Sequence, residues 1–310
     1  MFCNTAIKSS KLFVAFIIVI ASSCSASKKS GEKAIPLEKP IAGTKTMLWQ
    51  VSGNDLKNPS FLFGTIHVIS SDDYHVGENV MNKLVRSKQL VLEMDLNNIN
   101  PQEVADISLL PDNKTIKDYV KGDDYLLVES FFADSLGAPV ALFKTAYARL
   151  KPFFLQQMIY LKYLGENTSS YENEFMQVAK DNNIQILGLE TLKEQIDLID
   201  QMSIEDQYTE LLRSIREEYK EEGYLDTLIQ TYKNGDVEKL HQMIVENEDF
   251  RDINNTMVDE RNRKWIPKLE DIFEKSSTFV AVGAGHLGGP SGLIQLLREA
   301  GYQVDPIKAD

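Results

Sequence analysis

Two of the four histidines in this 310-residue chain close the same short pattern. Phe61-Leu62-Phe63-Gly64-Thr65-Ile66-His67 is an apolar run ending in Gly-x-x-His. Phe279-Val280-Ala281-Val282-Gly283-Ala284-Gly285-His286 repeats it near the other end. Such a run has the form of a buried strand, and a glycine after it permits a tight turn or a close backbone approach. Each histidine is therefore expected at the rim of a sheet, where α/β proteins place their sites. Glu93 is the accompanying carboxylate, set among Val91, Leu92 and Met94. A charge in such a strand is costly unless it is paired or bound to a cation. Imidazole and carboxylate together could ligate a divalent ion of the first transition row. The competing reading is structural: histidines that cap strands, and a Glu93 exposed by the alternation of faces or held in an ion pair.

The elements around these residues form two similar units. Met47–Val51 and Phe61–Val68 read as strands joined by a hairpin turn over Asn54–Ser60. After His67 come a polar loop holding His75, a short helix over Asn79–Ser87, and a strand over Gln89–Leu96. After His286 come a Gly/Pro/Ser loop, a helix over Gly292–Glu299 and a strand over Tyr302–Ile307. This strand, Gly-x-x-His, helix, strand repetition suggests two related half-sheets that bring both histidines to one cleft. The fold class expected is mixed α/β, with a large helical insertion at about 101–170 and 191–270. Apolar residues three and four apart predict its helices, and Phe131, Phe132, Phe143, Phe153 and Phe154 read as its core. Thr191 with Glu194, and Ser203 with Asp206, have capping-box spacing. Asn183–Glu190 reads as a strand ending in an acid. Trp265 is expected to pack and Pro267 to bend its helix. Arg261, taken alone, reads as a surface residue, and His241 as a helix-face residue.

Composition narrows the partners. The chain is 43% hydrophobic and 25% charged, which is globular rather than disordered. Its net charge of −13 argues against nucleic acid, because phosphate binding needs a basic surface. Residues 1–24 read as an export signal: Lys8 and Lys11, an apolar stretch Leu12–Ala21, then Ala21-Ser22-Ser23-Cys24. The last four residues resemble a bacterial lipoprotein signal that would leave Cys24 lipidated, and plain secretion is the alternative. Cys3 and Cys24 are the two cysteines of the chain, so the mature domain would hold none. Any metal there must rest on histidine and carboxylate. Residues 25–46 read as a flexible tether to a membrane, and 47–310 as a single domain.

The chain resembles the TraB/PrgY/GumN proteins over Met47 to Asp310, nearest to a GumN-like branch. The resemblance rests on five stretches. They are Gly64-Thr65-Ile66-His67, Leu92-Glu93, Gly188-Leu189-Glu190-Thr191 with Gln195, Glu260-Arg261-Asn262, and Gly283-Ala284-Gly285-His286-Leu287. That group is similar to the Tiki metalloproteases and, more distantly, to the erythromycin-esterase/ChaN-like proteins. The resemblance implies a central sheet with both Gly-x-x-His turns at one site. It also implies divalent-metal-dependent peptide cleavage, with Mn, Co or Zn held by His67, His286 and Glu93. Glu93 would be a third ligand or the general base, Arg261 would stabilise an oxyanion, and Glu190 would orient a histidine. Tyr171-Glu172 departs from the family pattern, where an Asp is expected, so the role of Glu172 stays open. A peptide or other small polymer is the substrate class implied, at a lipid-anchored domain in the bacterial envelope. A non-catalytic envelope binding protein of the same fold is the other class.

Overall fold

The computed structural model describes residues 35–41, 43, 45–246 and 255–310. Residues 1–34, which hold the expected signal segment with Cys3 and Cys24 and the start of the expected tether, lie outside the described residues. Among the described residues no helix is long and apolar enough to cross a membrane.

The strands are β1 (Leu48–Gly53), β2 (Ser60–Thr65), β3 (Ile69–Ser70), β4 (Gln89–Met94), β5 (Thr168–Ser169), β6 (Gln185–Glu190), β7 (Thr278–Gly283) and β8 (Tyr302–Pro306). Six of them form one sheet in the order β6-β4-β7-β2-β1-β8, and β3 pairs with β5 apart from it. β6, β4, β7 and β2 run parallel, while β1 lies antiparallel to β2 and β8. The protein is mixed α/β, as its strand–helix alternation predicts. The apolar runs explain the centre of the sheet. Phe61, Leu62, Leu90, Val91 and Phe279–Val282 are fully buried, as strands covered on both faces must be. From the helix Tyr171–Asp181, Phe175 meets Phe63 and Phe279 edge-on, with ring centroids 5.6 and 5.5 Å apart.

The two similar units do not form two half-sheets. β7, from the second unit, lies between β2 and β4 of the first, and β8 closes the far edge. The motifs are also one residue out of register, since Gly64 pairs with Val282 and Thr65 with Gly283. Direct parallel pairing of β2 with β7 places both histidines at neighbouring strand ends. Beyond the two strands the backbone takes different paths. His286 closes the short 3-10 turn Ala284–His286, and His67 enters an open loop.

The two stretches expected as an insertion are largely helical, and a second apolar cluster joins the first stretch to the helix Ile204–Arg216, while Ile229, Leu240 and Trp265 of the second stretch pack into the core of the sheet. Phe131, Phe132, Phe143, Leu155 and Ile159 pack in that second cluster with Leu211 and Ile215 from the later stretch. Phe154 packs against this cluster while partly buried, and Phe153 is also half-buried. Both expected caps form: Thr191 and Glu194 make a full capping box, and Ser203 Oγ accepts from Asp206 N at 3.1 Å.

Within the tether expected to run to Thr46, Ile35, Glu38, Ile41 and Thr46 are each hydrogen-bonded to the fold. Ile35 is buried and its N–H reaches Asn58 Oδ1, while Glu38 N donates to Gln50 Oε1 at 2.9 Å. The Glu38 carboxylate pairs with Lys83, whose side chain is only 4% exposed. A buried ammonium needs such a partner, and Glu38 supplies it from this segment.

Candidate functional site

The site lies at the carboxyl ends of the four parallel strands, and strand order sets its layout. Glu190 ends β6, Glu93 lies near the end of β4, Gly283 ends β7 with His286 just beyond, and His67 follows β2. His67, Glu93 and His286, expected together, do meet. His67 Nε2 stands 3.7 Å and His286 Nε2 3.6 Å from the same oxygen, Glu93 Oε1. Gly283 N donates to that oxygen at 2.8 Å. A Cβ on Gly283 would come within 3.2 Å of Glu93 Oε1 and 3.5 Å of His67 Nε2, so the glycine keeps this space open. Gly64 answers a different demand. A Cβ there would fall 2.9 Å from Leu287 Cδ1 and 3.1 Å from Ala284 Cα, because the second motif's turn passes over the first motif's glycine.

Arg261 is buried at the centre, not on the surface as its local sequence suggested. A π-helical turn over Asn255–Glu260 leads into the helix Arg261–Lys275. Such turns shift helical phase, and here the consecutive residues Arg261 and Asn262 are both buried. Arg261 Nη2 donates to Glu93 Oε2 at 2.6 Å, and its Nε donates to Glu190 Oε2 at 2.9 Å. The guanidinium lies over the Trp265 ring, 4.8 Å from the centroid. Trp265 Nε1 in turn donates to Glu190 Oε1 at 2.8 Å. Glu190 therefore holds Arg261 and Trp265 and does not orient a histidine. The reason is its place on β6, which β4 separates from the histidine-bearing strand ends.

The two imidazoles sit in contrasting surroundings. His67 is 61% exposed, and its Nδ1–H donates to Glu172 Oε1 at 2.9 Å. Surrounding protein opposes its charge, but the carboxylates of Glu172 and then Glu93 push its pKa up to about 9. His286 is 8% exposed and lies against Trp265, with ring centroids 4.5 Å apart. Burial, reinforced by Arg261 and His67, outweighs the pull of Glu93 and holds it down to about 3. Burial also opposes charge on Glu93, yet His286, His67, Arg261 and the Gly283 N–H keep it ionised well below the usual carboxylate range. Glu172 is likewise held low despite its burial, chiefly by His67 and by the Thr65 hydroxyl, which donates at 2.6 Å.

Sequence reasoning left Glu172 open and gave Asn262 and Gln195 no role. Glu172 is the partner of His67, on a helix whose N-cap is Ser170. The β3–β5 pair ties the loop after His67 to the segment before that cap. Asn262 accepts from His286 Nδ1 at 2.7 Å, and Gln195 Nε2 donates to Glu93 Oε2 at 3.3 Å. Asn262 directly after Arg261 was a readable signal only once the helix was known to present both inward. Of the other histidines, His75 lies in a loop and its ring meets Asp310 at 3.1 Å. His241, on the helix Val237–Glu246, packs against Gly288 and Gly289.

Charge is unbalanced in this cluster. Among the described residues, three buried carboxylates, Glu93, Glu172 and Glu190, face the buried guanidinium of Arg261, and the His67 proton supplies a further positive charge. Among the described residues no group of three or more His, Cys, Asp or Glu side chains is preassembled to hold a metal ion. A family model described as the TraB/PrgY/gumN family matches residues 47–306. No curated protein and no solved structure matches the chain.

Proposed function

The chain belongs to the TraB/PrgY/gumN family, and on that premise we propose that it is a divalent-metal-dependent hydrolase of peptides. It is exported and tethered in the bacterial envelope through lipid on Cys24. One observation carries the reading: both imidazole Nε2 atoms face Glu93 Oε1, at 3.7 and 3.6 Å, beside the side-chain-free Gly283. The donor set suits such an ion, being two imidazoles and a carboxylate. The charge balance suits it too, because an ion replacing the His67 proton would offset the surplus of carboxylates.

His67, His286 and Glu93 would hold the ion, which is Mn, Co or Zn. When bound, it lowers the pKa of a water and polarises a carbonyl. The chain's own residues do the rest. Glu172 orients His67 through Nδ1, and Asn262 orients His286 through Nδ1. Arg261, fixed by Glu190 and Trp265, offers a rigid cation for charge that develops on a substrate oxygen. Glu93 serves as ligand or as base; Arg261 and Gln195 occupy its Oε2 and leave Oε1 turned to the imidazoles. The net charge of −13 supports a peptide or another small polymer over nucleic acid.

A second reading has its own support. Glu93 is already paired with Arg261, and both ring nitrogens of His286 have hydrogen-bond partners. An envelope protein that binds a peptide or saccharide without cleaving it needs nothing more from these groups. Elemental analysis of residues 25–310 after loading with Mn, Co or Zn separates the two. The hydrolase reading expects about one ion per chain, as a single donor set allows, and none in a His67→Ala/His286→Ala variant. No ion in either protein would favour the binder.

A further inference from the structure

The tautomer of His286 is set by two neighbours that have no choice of role. Asn262 is fully buried, and its Nδ2 donates to two backbone carbonyls, His286 O at 3.2 Å and Ser291 O at 2.8 Å. Those bonds fix the amide's orientation, so the atom 2.7 Å from His286 Nδ1 is Oδ1. An amide oxygen only accepts, and Nδ1 must therefore carry the hydrogen. On the other side of the ring, Arg261 Nη1 stands 3.3 Å from Nε2. A guanidinium only donates, so Nε2 must hold the lone pair. The two constraints are independent and agree. A free neutral imidazole side chain in water favours the opposite tautomer, which makes the arrangement an imposed one.

We propose that Asn262 is a positioning residue that, with Arg261 on the other side of the ring, keeps His286 in the Nδ1–H form, its Nε2 accepting from Arg261 Nη1 and standing 3.6 Å from Glu93 Oε1. The tautomer stands on hydrogen bonding alone, while its consequence for ion binding rests on the metal-dependent reading above. Asn262 does this while clamping both ends of the loop from His286 to Ser291, which Arg263 also grips through Ser291 Oγ at 2.7 Å.

The test is a long-range proton–nitrogen correlation spectrum of the metal-free full chain in detergent, with histidine labelled in ¹⁵N. Four histidines keep it readable, and a His286→Gln variant assigns the signal. The expected result is a hydrogen on Nδ1 and a lone pair on Nε2. Asn262→Ala should shift the Nδ1–H signal, because Nδ1 loses its acceptor while Arg261 still donates to Nε2, and Asn262→Asp, whose carboxylate also only accepts, should retain that signal. Titration with Mn, Co or Zn should show binding weakened about 10- to 100-fold in Asn262→Ala, the usual effect of losing such a partner. An Nε2–H ring in the wild type overturns the proposal, and so does an Ala variant with unchanged signals and affinity. If the Ala variant does not fold, the wild-type spectrum and the Asp variant decide. The expected tautomer together with no bound ion in the wild type would support the positioning role and overturn the metal reading.

Discussion

Glu93 and Arg261, 168 residues apart in sequence, meet at 2.6 Å between side chains that are 9% and 6% exposed. Arg261 also carries Glu190, so one guanidinium compensates two buried carboxylates. Breaking such a pair costs more than the pair contributes, because the remaining charge stays buried without a partner. Arg261→Met should lower unfolding free energy by about 3–5 kcal/mol in urea denaturation. The double variant Arg261→Met/Glu93→Gln should recover part of that. A loss under about 1 kcal/mol, the range of exposed pairs, would contradict this account.

The histidines predict a stability maximum near neutral pH. His67 binds its proton more tightly folded than unfolded, with a pKa raised from 6.5 to about 9. Its contribution is complete below 6.5 and is lost as pH rises through about 9. His286 shows the opposite shift, from 6.5 down to about 3. It stays neutral in the fold while the unfolded chain takes up a proton, so stability falls as pH drops from 6.5 toward 3. Melting temperature against pH should therefore decline on both sides. His67→Ala should flatten the alkaline limb, and His286→Ala should flatten the histidine part of the acid limb. A wild-type alkaline limb no steeper than that of His67→Ala would rule out the raised pKa.

Ion binding should release protons. Below about pH 9 the His67 ring holds a hydrogen that a metal ion would have to displace. Calorimetric titration in buffers of differing ionisation enthalpy should show proton release at pH 7 and affinity rising up to about pH 9. Binding without release would remove His67 from the ligand set.

Gly283 should be intolerant of any side chain. The Cβ of Gly283→Ala would lie 3.2 Å from Glu93 Oε1 and 3.7 Å from His286 Cδ2. The backbone there has an ordinary negative φ, so the fold should survive the change. The expected outcome is a protein that melts cooperatively and retains less metal than the wild type under the same loading. Full stoichiometry and affinity in this variant would show that the space beside Gly283 is not used.

The segment before β1 should add stability. Lys83 is buried under Glu38 and lies over the Phe61 ring at 5.2 Å. Glu38→Gln leaves that ammonium without its charged partner, and a chain starting after Thr46 removes the strap altogether. Both should unfold at lower urea concentration than residues 25–310, the truncation by the larger margin. Equal midpoints would return residues 35–46 to the status of a tether.

Much of this was legible in one dimension. Runs such as Phe61–Phe63 and Phe279–Val282 are apolar at every position, and only a strand buried on both faces accommodates that. Glu93 stood out because a carboxylate inside such a run needs a partner. Arg261 was placed at the site only through the family resemblance, because its burial depends on the phase of a helix entered through a π turn, and local sequence does not reveal phase. Glu190 was misread for a related reason: its strand lies one place too far along the sheet to reach a histidine.

The sequence by itself determined the elements, the two Gly-x-x-His turns and the identity of the histidine–glutamate set, because burial pattern and turn chemistry are local. Tertiary structure decided which groups those residues meet. Parallel pairing of β2 with β7 set the two histidines side by side, and the packing beyond the strands left His67 open and buried His286 against Trp265. Helix packing then chose a carboxylate, Glu172, for His67 and an amide, Asn262, for His286. These contacts join residues 105 and 24 positions apart. The protonation of each ring follows from burial and from the charge of its neighbour, and both arise only when distant segments come together.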